Sequence, residues 1–153
     1  MEEAVVVQPP AYAQPAVARS LERWHAMIAR RDLHGLAEIV HPEATFFSPM
    51  SISGYAPAPA LILALTTVIK VFEDFTYHRQ LVSDDGLSVV LEFSARVGER
   101  QLKGIDLVRF DEQGKIVEFE VMVRPLNALQ ALGAEMGARL GDQLPAFKTR
   151  TRS

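Results

Sequence analysis

Residues 87–110 read LSVVLEFSARVGERQLKGIDLVRF. Apolar side chains recur at every second position on both sides of Gly98-Glu99, the period of two half-buried β-strands, over 87–97 and 101–110. A link that short can join only antiparallel neighbours. The same period continues outward. Phe75 to Val82 before Asp84-Asp85-Gly86, and Lys115 to Val123 after Asp111-Glu112-Gln113-Gly114, read as two further strands, which makes a four-strand antiparallel meander.

Upstream the period lengthens to 3.6. Val17, Leu21, Trp24 and Ile28 form one apolar stripe and predict a helix over about 16–31. Asp32 is placed to cap a short second helix over 33–40, which Pro42 ends, and a short strand from Thr45 to Ser48 follows. Leu61, Leu65, Val68 and Phe72 predict a third helix over about 60–72, begun by Pro57 and Pro59. Its outer face, with Leu63, Ala64 and Thr67, is apolar enough to need a long loop or a second subunit over it. After Pro125, the residues Leu126, Leu129, Leu132, Met136 and Leu140 mark a terminal helix. Residues 1–15, with three prolines, read as an extended arm, 16–140 as one domain and 141–153 as a solvated basic tail. Helices followed by a curled meander give an α+β fold, a cone-shaped antiparallel sheet with helices packed on its concave face.

Composition removes several classes of function. The absence of Cys excludes disulfides, zinc–thiolate sites and thiol nucleophiles. Sixteen basic against nineteen acidic residues leave a net charge of −3, so no nucleic-acid partner is expected. Residues 44–69 carry no charge and no histidine, but Pro49, Gly54, Pro57 and Pro59 break the run, and its last ten residues are half of the roughly 20 a bilayer span requires. The Met-Glu-Glu start lacks the basic and apolar regions of a signal peptide, so a cytoplasmic location is expected. His25, His34, His41 and His78 lack metal-ligand spacing, and neither a metal nor a cofactor is expected.

Asp106 is the residue with the most chemistry in it. Alternation puts it on one face with Val108 and Phe110, and Ile105, Leu107 and Arg109 on the other. If the first face is concave, desolvation favours the neutral acid, a hydrogen-bond donor to a ligand oxygen. If the second is concave, Asp106 stands in solvent or pairs with a neighbouring Arg or Lys. Periodicity alone leaves both open.

The run Leu21-Glu22-Arg23-Trp24, then Asp32, His41-Pro42-Glu43-Ala44-Thr45-Phe46, Gly54, and Gly104-Ile105-Asp106-Leu107-Val108-Arg109-Phe110-Asp111 to Gly114-Lys115-Ile116 resembles the nuclear transport factor 2-like superfamily, with its SnoaL-like cyclases and ketosteroid isomerases, over about residues 16–125. The resemblance implies a SnoaL-like, cystatin-like α+β barrel with Asp106 facing inward. It also implies a pocket formed by Trp24, Phe46, Ser48, Phe93, Val108, Phe119, Val121 and Val123. Ketosteroid isomerases use an inward Tyr on the first helix, a general-base Asp on the first strand and a protonated Asp in the Ile-Asp-x-x-Arg-Phe strand, the last being a standard example of a neutral catalytic acid. Here Trp24 stands at the first position, Ser48 at the second, and only Asp106 keeps its acid. A serine hydroxyl with no base beside it does not abstract a carbon-bound proton near neutral pH, so steroid isomerisation is disfavoured.

Trp24 also reads as a core aromatic, Ser48 as a strand end, His41 as a structural loop residue, and His25 as a candidate for the pocket mouth. Arg124 either pairs with Glu120 or a partner chain on the convex face, or reaches the cone mouth to hold a carboxylate. Two functions remain in view. One is a domain that binds a small, mostly apolar molecule, with Asp106 as hydrogen-bond donor or catalytic acid of an isomerase, cyclase or dehydratase type. The other is a non-catalytic dimerisation module with a filled core. Under either, a homodimer through the convex sheet, near Met122 and Val117, is expected.

Overall fold

The computed structural model describes residues 12–151. Three helices, α1 (Pro15–Ala29), α2 (Ala58–Val71) and α3 (Leu126–Leu140), pack on a seven-strand sheet. Its strands are β1 (Val40–Phe47), β2 (Ser53–Tyr55), β3 (Glu73–Val82), β4 (Ser88–Val97), β5 (Arg100–Phe110), β6 (Ile116–Arg124) and β7 (Lys148–Thr151), in the order β3-β4-β5-β6-β1-β2-β7. The sheet is curved and unclosed, with β3 and β7 at its edges.

The meander forms as the period-2 pattern requires. Val89, Leu91 and Phe93 of β4 face Val108, Asp106 and Gly104 of β5 in register, and all six are buried. Inward rows are apolar because the helices lie against them, and outward rows carry Arg79, Glu92, Lys103 and Glu120. Between β5 and β6 a bulge sets Arg109 opposite Glu118 but Phe110 opposite Ile116. The extra residue keeps both Ile116 and Phe119 inward and leaves Val117 half-buried between them at the bulge, not beside Met122 in the outer row of the expected dimer surface. Arg124 is exposed, beside Lys103 in register on the outer face, and not at the cone mouth.

Other expectations need correction. The short helix over 33–40 is a 3-10 turn, Leu36–Ile39, entered through left-handed Gly35. Asp32 accepts the His34 amide in a local turn and caps no helix. β1 pairs with β6 in parallel, so the sheet is mixed. The apolar outer side of α2 is covered in part by α3, and Ala64 is fully buried. On α3 the buried row is Ala128, Leu132 and Leu140, while Leu126 is exposed.

The ends of the chain also depart from the linear reading. Residues 1–11 of the expected arm lie outside the described residues, but Gln14 donates from its amide to Gly86 O and from its side chain to Asp85 O, which ties the start of α1 to the β3–β4 turn. The supposed tail contains a 3-10 turn, Pro145–Phe147, and β7, which pairs with β2. A four-residue edge strand rich in Lys, Thr and Arg leaves no apolar alternation to read. Both β2 and β7 were therefore missed. Among the described residues no helix is long and apolar enough to cross a membrane.

Side-chain hydrogen bonds tie α1 to the β5–β6 turn and cap the end of α2. Ser20 on α1 donates to Gly114 O at 2.5 Å, and the Arg31 guanidinium donates to Ile69 O and Phe72 O at the end of α2, where carbonyls lack intrahelical partners. These bonds fix α1 and α2 against the sheet and set the depth of the cone.

Gly104 shows how tightly that interior is filled. A methyl group there would overlap the Phe93 ring and the Met122 carbonyl oxygen. Gly104→Ala is therefore expected to destabilise the fold by about 1–3 kcal/mol through overpacking, read as a lower urea midpoint with unchanged slope. A variant as stable as the parent would show that Phe93 can move aside.

Candidate functional site

The cone is not packed solid. A cavity of about 240 Å³ lies between the concave face and the helices. Its deep wall is formed by Trp24, Phe75, Tyr77, Asp106 and Phe119, and its mouth lies near Met50, Gly137, Gly141 and Pro145, which are exposed. Among the described residues Asp106 is the only carboxylate lining the cavity, and no Lys, Arg or His lines it.

Asp106 points inward from β5, 5% exposed. Its carboxyl is pushed up from 3.8 to about 7, chiefly because burial penalises the charged form, against a smaller opposite effect of the hydrogen bond from Tyr77. Tyr77 Oη donates to Asp106 Oδ2 at 2.5 Å, and Trp24 Nε1 donates to Tyr77 Oη at 3.0 Å. The direction of this chain follows from chemistry. An indole N–H can only donate, so Tyr77 accepts from Trp24 and sends its own proton to Asp106 Oδ2. When Asp106 is neutral its proton therefore sits on Oδ1, the oxygen left to the cavity.

Three separate elements supply this chain. Tyr77 is in register with Phe93 on β4, and Asp106 with Leu91 on β4, so the phenol reaches across a whole strand, about 10 Å from β3 to β5. It passes over Phe93, whose ring meets that of Tyr77 edge-on at 6.4 Å and stacks on Phe75 at 4.9 Å. Trp24 packs against Phe119 at 5.4 Å. Burial pushes the Tyr77 phenol well above its ordinary value, and the Asp106 charge adds to this, so Tyr77 remains a donor.

Of the residues expected to form the pocket, Trp24, Phe46, Ser48, Asp106, Phe119 and Val121 line the cavity together. Phe93, Val108 and Val123 do not. Phe93 lies beneath Phe75 and Tyr77, and Val108, 2% exposed, sits in the core behind the lining residues. Val123 borders surface grooves with Met122. Ser48 Oγ accepts the Met50 amide at 3.0 Å, so it shapes the β1–β2 loop as well as lining the cavity. His25 is outside the lining, bonded to Gln80 and edge-on to Tyr77, and His41 accepts the Glu43 amide. Tyr77 is the residue sequence reasoning missed. Its signal was present, since alternation placed Phe75 and Tyr77 on one face and a buried phenol needs a polar partner, which the inward Asp106 supplies.

The SnoaL-like domain model matches residues 21–119, most of the chain. The chain belongs to the SnoaL-like family. Among solved structures, a steroid delta-isomerase from Pseudomonas aeruginosa is 61% identical to this SnoaL-like protein, with a TM-score of 0.83 over 87% of this chain and 97% of that one. An uncharacterised protein with a cystatin-like fold from Silicibacter pomeroyi DSS-3 is 26% identical, with a TM-score of 0.78 over 91% and 98%. The epoxide hydrolase/cyclase-like enzyme SalBIII, of pyran ring formation in salinomycin, is 15% identical, with a TM-score of 0.59 over 72% and 91%, which shows shared fold alone. No curated protein matches the chain.

The shifted carboxyl makes the SnoaL-like domain's stability depend on pH. Asp106 titrates near 3.8 when unfolded and near 7 when folded, so the fold holds more protons in that window and loses stability as pH rises through it. Asp106→Asn abolishes this loss. Its advantage over the parent is expected to grow between pH 4 and pH 8, on the order of 4 kcal/mol at most, in paired urea titrations. A constant difference at both pH values would mean that the carboxyl is ordinarily ionised.

Proposed function

We propose that this SnoaL-like domain binds a small, mostly apolar molecule bearing a carbonyl or hydroxyl oxygen, with Asp106 as hydrogen-bond donor to that oxygen. The supporting observation is the direction of the Trp24–Tyr77–Asp106 chain, which leaves the carboxyl proton on the oxygen facing an apolar cavity. A neutral acid in a dry site stabilises negative charge developing on a ligand oxygen better than water does. Where the ligand reacts, Asp106 is the acid of an isomerase, cyclase or dehydratase type of step.

The Pseudomonas aeruginosa relative is a steroid delta-isomerase, and moving a carbon-bound proton requires a base. In this chain Ser48, just after β1, stands where the resemblance to ketosteroid isomerases puts that base, and among the described residues Asp106 is the only carboxylate on the cavity wall. Near pH 7 one group is therefore divided between donor and base forms. Oxygen recognition by the neutral form is the role its surroundings favour, because burial of the carboxyl outweighs the hydrogen bond donated by Tyr77.

A ketone can accept a hydrogen bond but not donate one, which separates the two protonation states. With 2-acetylnaphthalene as probe and 2-ethylnaphthalene as its oxygen-free counterpart, titration calorimetry should give tighter ketone binding below pH 7. The affinity is then expected to fall up to tenfold per unit above it, while the hydrocarbon stays flat. Asp106→Asn, whose amide donates at every pH, should flatten the ketone profile. Equal, pH-independent binding of both probes would exclude Asp106 as the recognising group.

For assembly we propose a homodimer through the outer sheet face. Leu81 and Met122 are 51% and 44% exposed, with half-buried Val90, Ile105 and Leu107 between them. Arg79 and Lys103 bracket Glu92 on the same face at 2.7 and 3.5 Å. Sedimentation at micromolar concentration should give twice the 17.0 kDa chain mass, and Met122→Glu should return the protein to a single chain. A parent that sediments at 17.0 kDa removes the proposal.

A further inference from the structure

Helix α3 carries Gly133 and Gly137 one turn apart, both on the cavity wall together with Leu132, Met136 and Leu140. A glycine inside a helix is unfavourable relative to alanine, so two on one edge invite a reason in what they face. The notch at Gly133 is occupied. A methyl group there would meet the tip of Met50, at 2.7 Å from Cε and 3.0 Å from Sδ. The notch at Gly137 opens to the exterior, since Gly137 is exposed and a methyl there would find no atom of the described residues within 4 Å. Local folding does not require that glycine. Its backbone is helical, its carbonyl accepts the Gly141 amide as a helix should, and alanine would fit without a clash.

We propose that the open notch at Gly137 is the slot through which the far end of the bound molecule leaves the cavity, so that Gly137 determines the length of ligand accepted. This rests on the reading that Asp106 holds the ligand's oxygen at the deep end. Two features support it independently of helix composition. The enclosed volume, about 240 Å³, falls just short of the roughly 300 Å³ at which pockets for drug-sized ligands begin, so a longer molecule anchored on Asp106 has to project outward. The rim it would pass is built of Gly137, Gly141, Pro145 and the thioether of Met50. Glycines impose no side chain on it, and methionine is the most adaptable apolar side chain. The slot therefore acts only on molecules longer than the cavity whose oxygen is held at the deep end.

The test uses the full chain and a linear series of ketones, acetophenone, 2-acetylnaphthalene and 2-acetylanthracene, with one, two and three fused rings. Gly137→Val should leave acetophenone within about twofold and weaken 2-acetylanthracene at least tenfold. Gly137→Ala serves as the folding control. It should raise Tm by about 2–4 °C and give a smaller loss of the same sign for the longest ketone only. Equal losses along the series, or none, would overturn the slot while leaving Asp106 recognition standing, provided the ketones still respond to pH and to Asp106→Asn. If none of the three ketones binds the parent protein, the site reading and the slot fall together.

Discussion

A carboxyl group enclosed with no cationic side chain beside it among the described residues must give up its charge or find donors enough to keep it. Asp106 meets one donor, Tyr77, and that phenol is already committed by an indole that can only donate. One hydrogen bond does not offset full desolvation, so the proton stays near neutrality and, by elimination, on the oxygen that faces the cavity. The rest of the site can be understood as what this arrangement demands. It needs an aromatic layer to exclude water, a glycine on β5 so that Phe93 can settle beneath Tyr77, and a first helix held at the depth where Trp24 reaches the phenol.

A second carboxylate shows that the environment, not the residue type, decides. Glu92 leaves the sheet on its outer face one strand away, where the Arg79 guanidinium grips it with two bonds at 2.7 and 2.9 Å and Lys103 stands nearby. Those donors hold it well below the ordinary carboxylate range, while Asp106 on the inner face is pushed the other way. The two faces of one pleated sheet thus act as two solvents. An inversion of alternation by a single residue would exchange the fates of the two acids.

Much of this was legible in the linear order of residues. The meander, the three long helices and the inward acid follow from periodicity together with a family resemblance, because each is a strong repeating pattern or a local motif. Three kinds of feature were not legible. The parallel pairing of β1 with β6 and the short strands β2 and β7 depend on contacts between distant, weakly patterned segments. The bulge between β5 and β6, which turns Ile116 inward, breaks the very alternation used to place residues. Tyr77 was passed over because its significance is relational. Nothing in the β3 sequence says that its hydroxyl crosses β4 to meet β5. Phe93, conversely, faces inward as its pattern implies, yet lies one layer too deep to touch the cavity, since facing inward does not say what lies above.

The placement of β1 between β6 and β2 bears on how the chain becomes a protein. Val40 cannot find its partner Ile116 until the whole meander exists, and β2 waits further for β7, nearly a hundred residues downstream of it. Pairings of such long sequence separation are slow to form, so on a ribosome the early helices must remain without their sheet while most of the chain is still being made. Over that interval α2, the most apolar of the three helices, lacks the completed sheet it packs against. It is the segment a nascent-chain chaperone would be expected to hold.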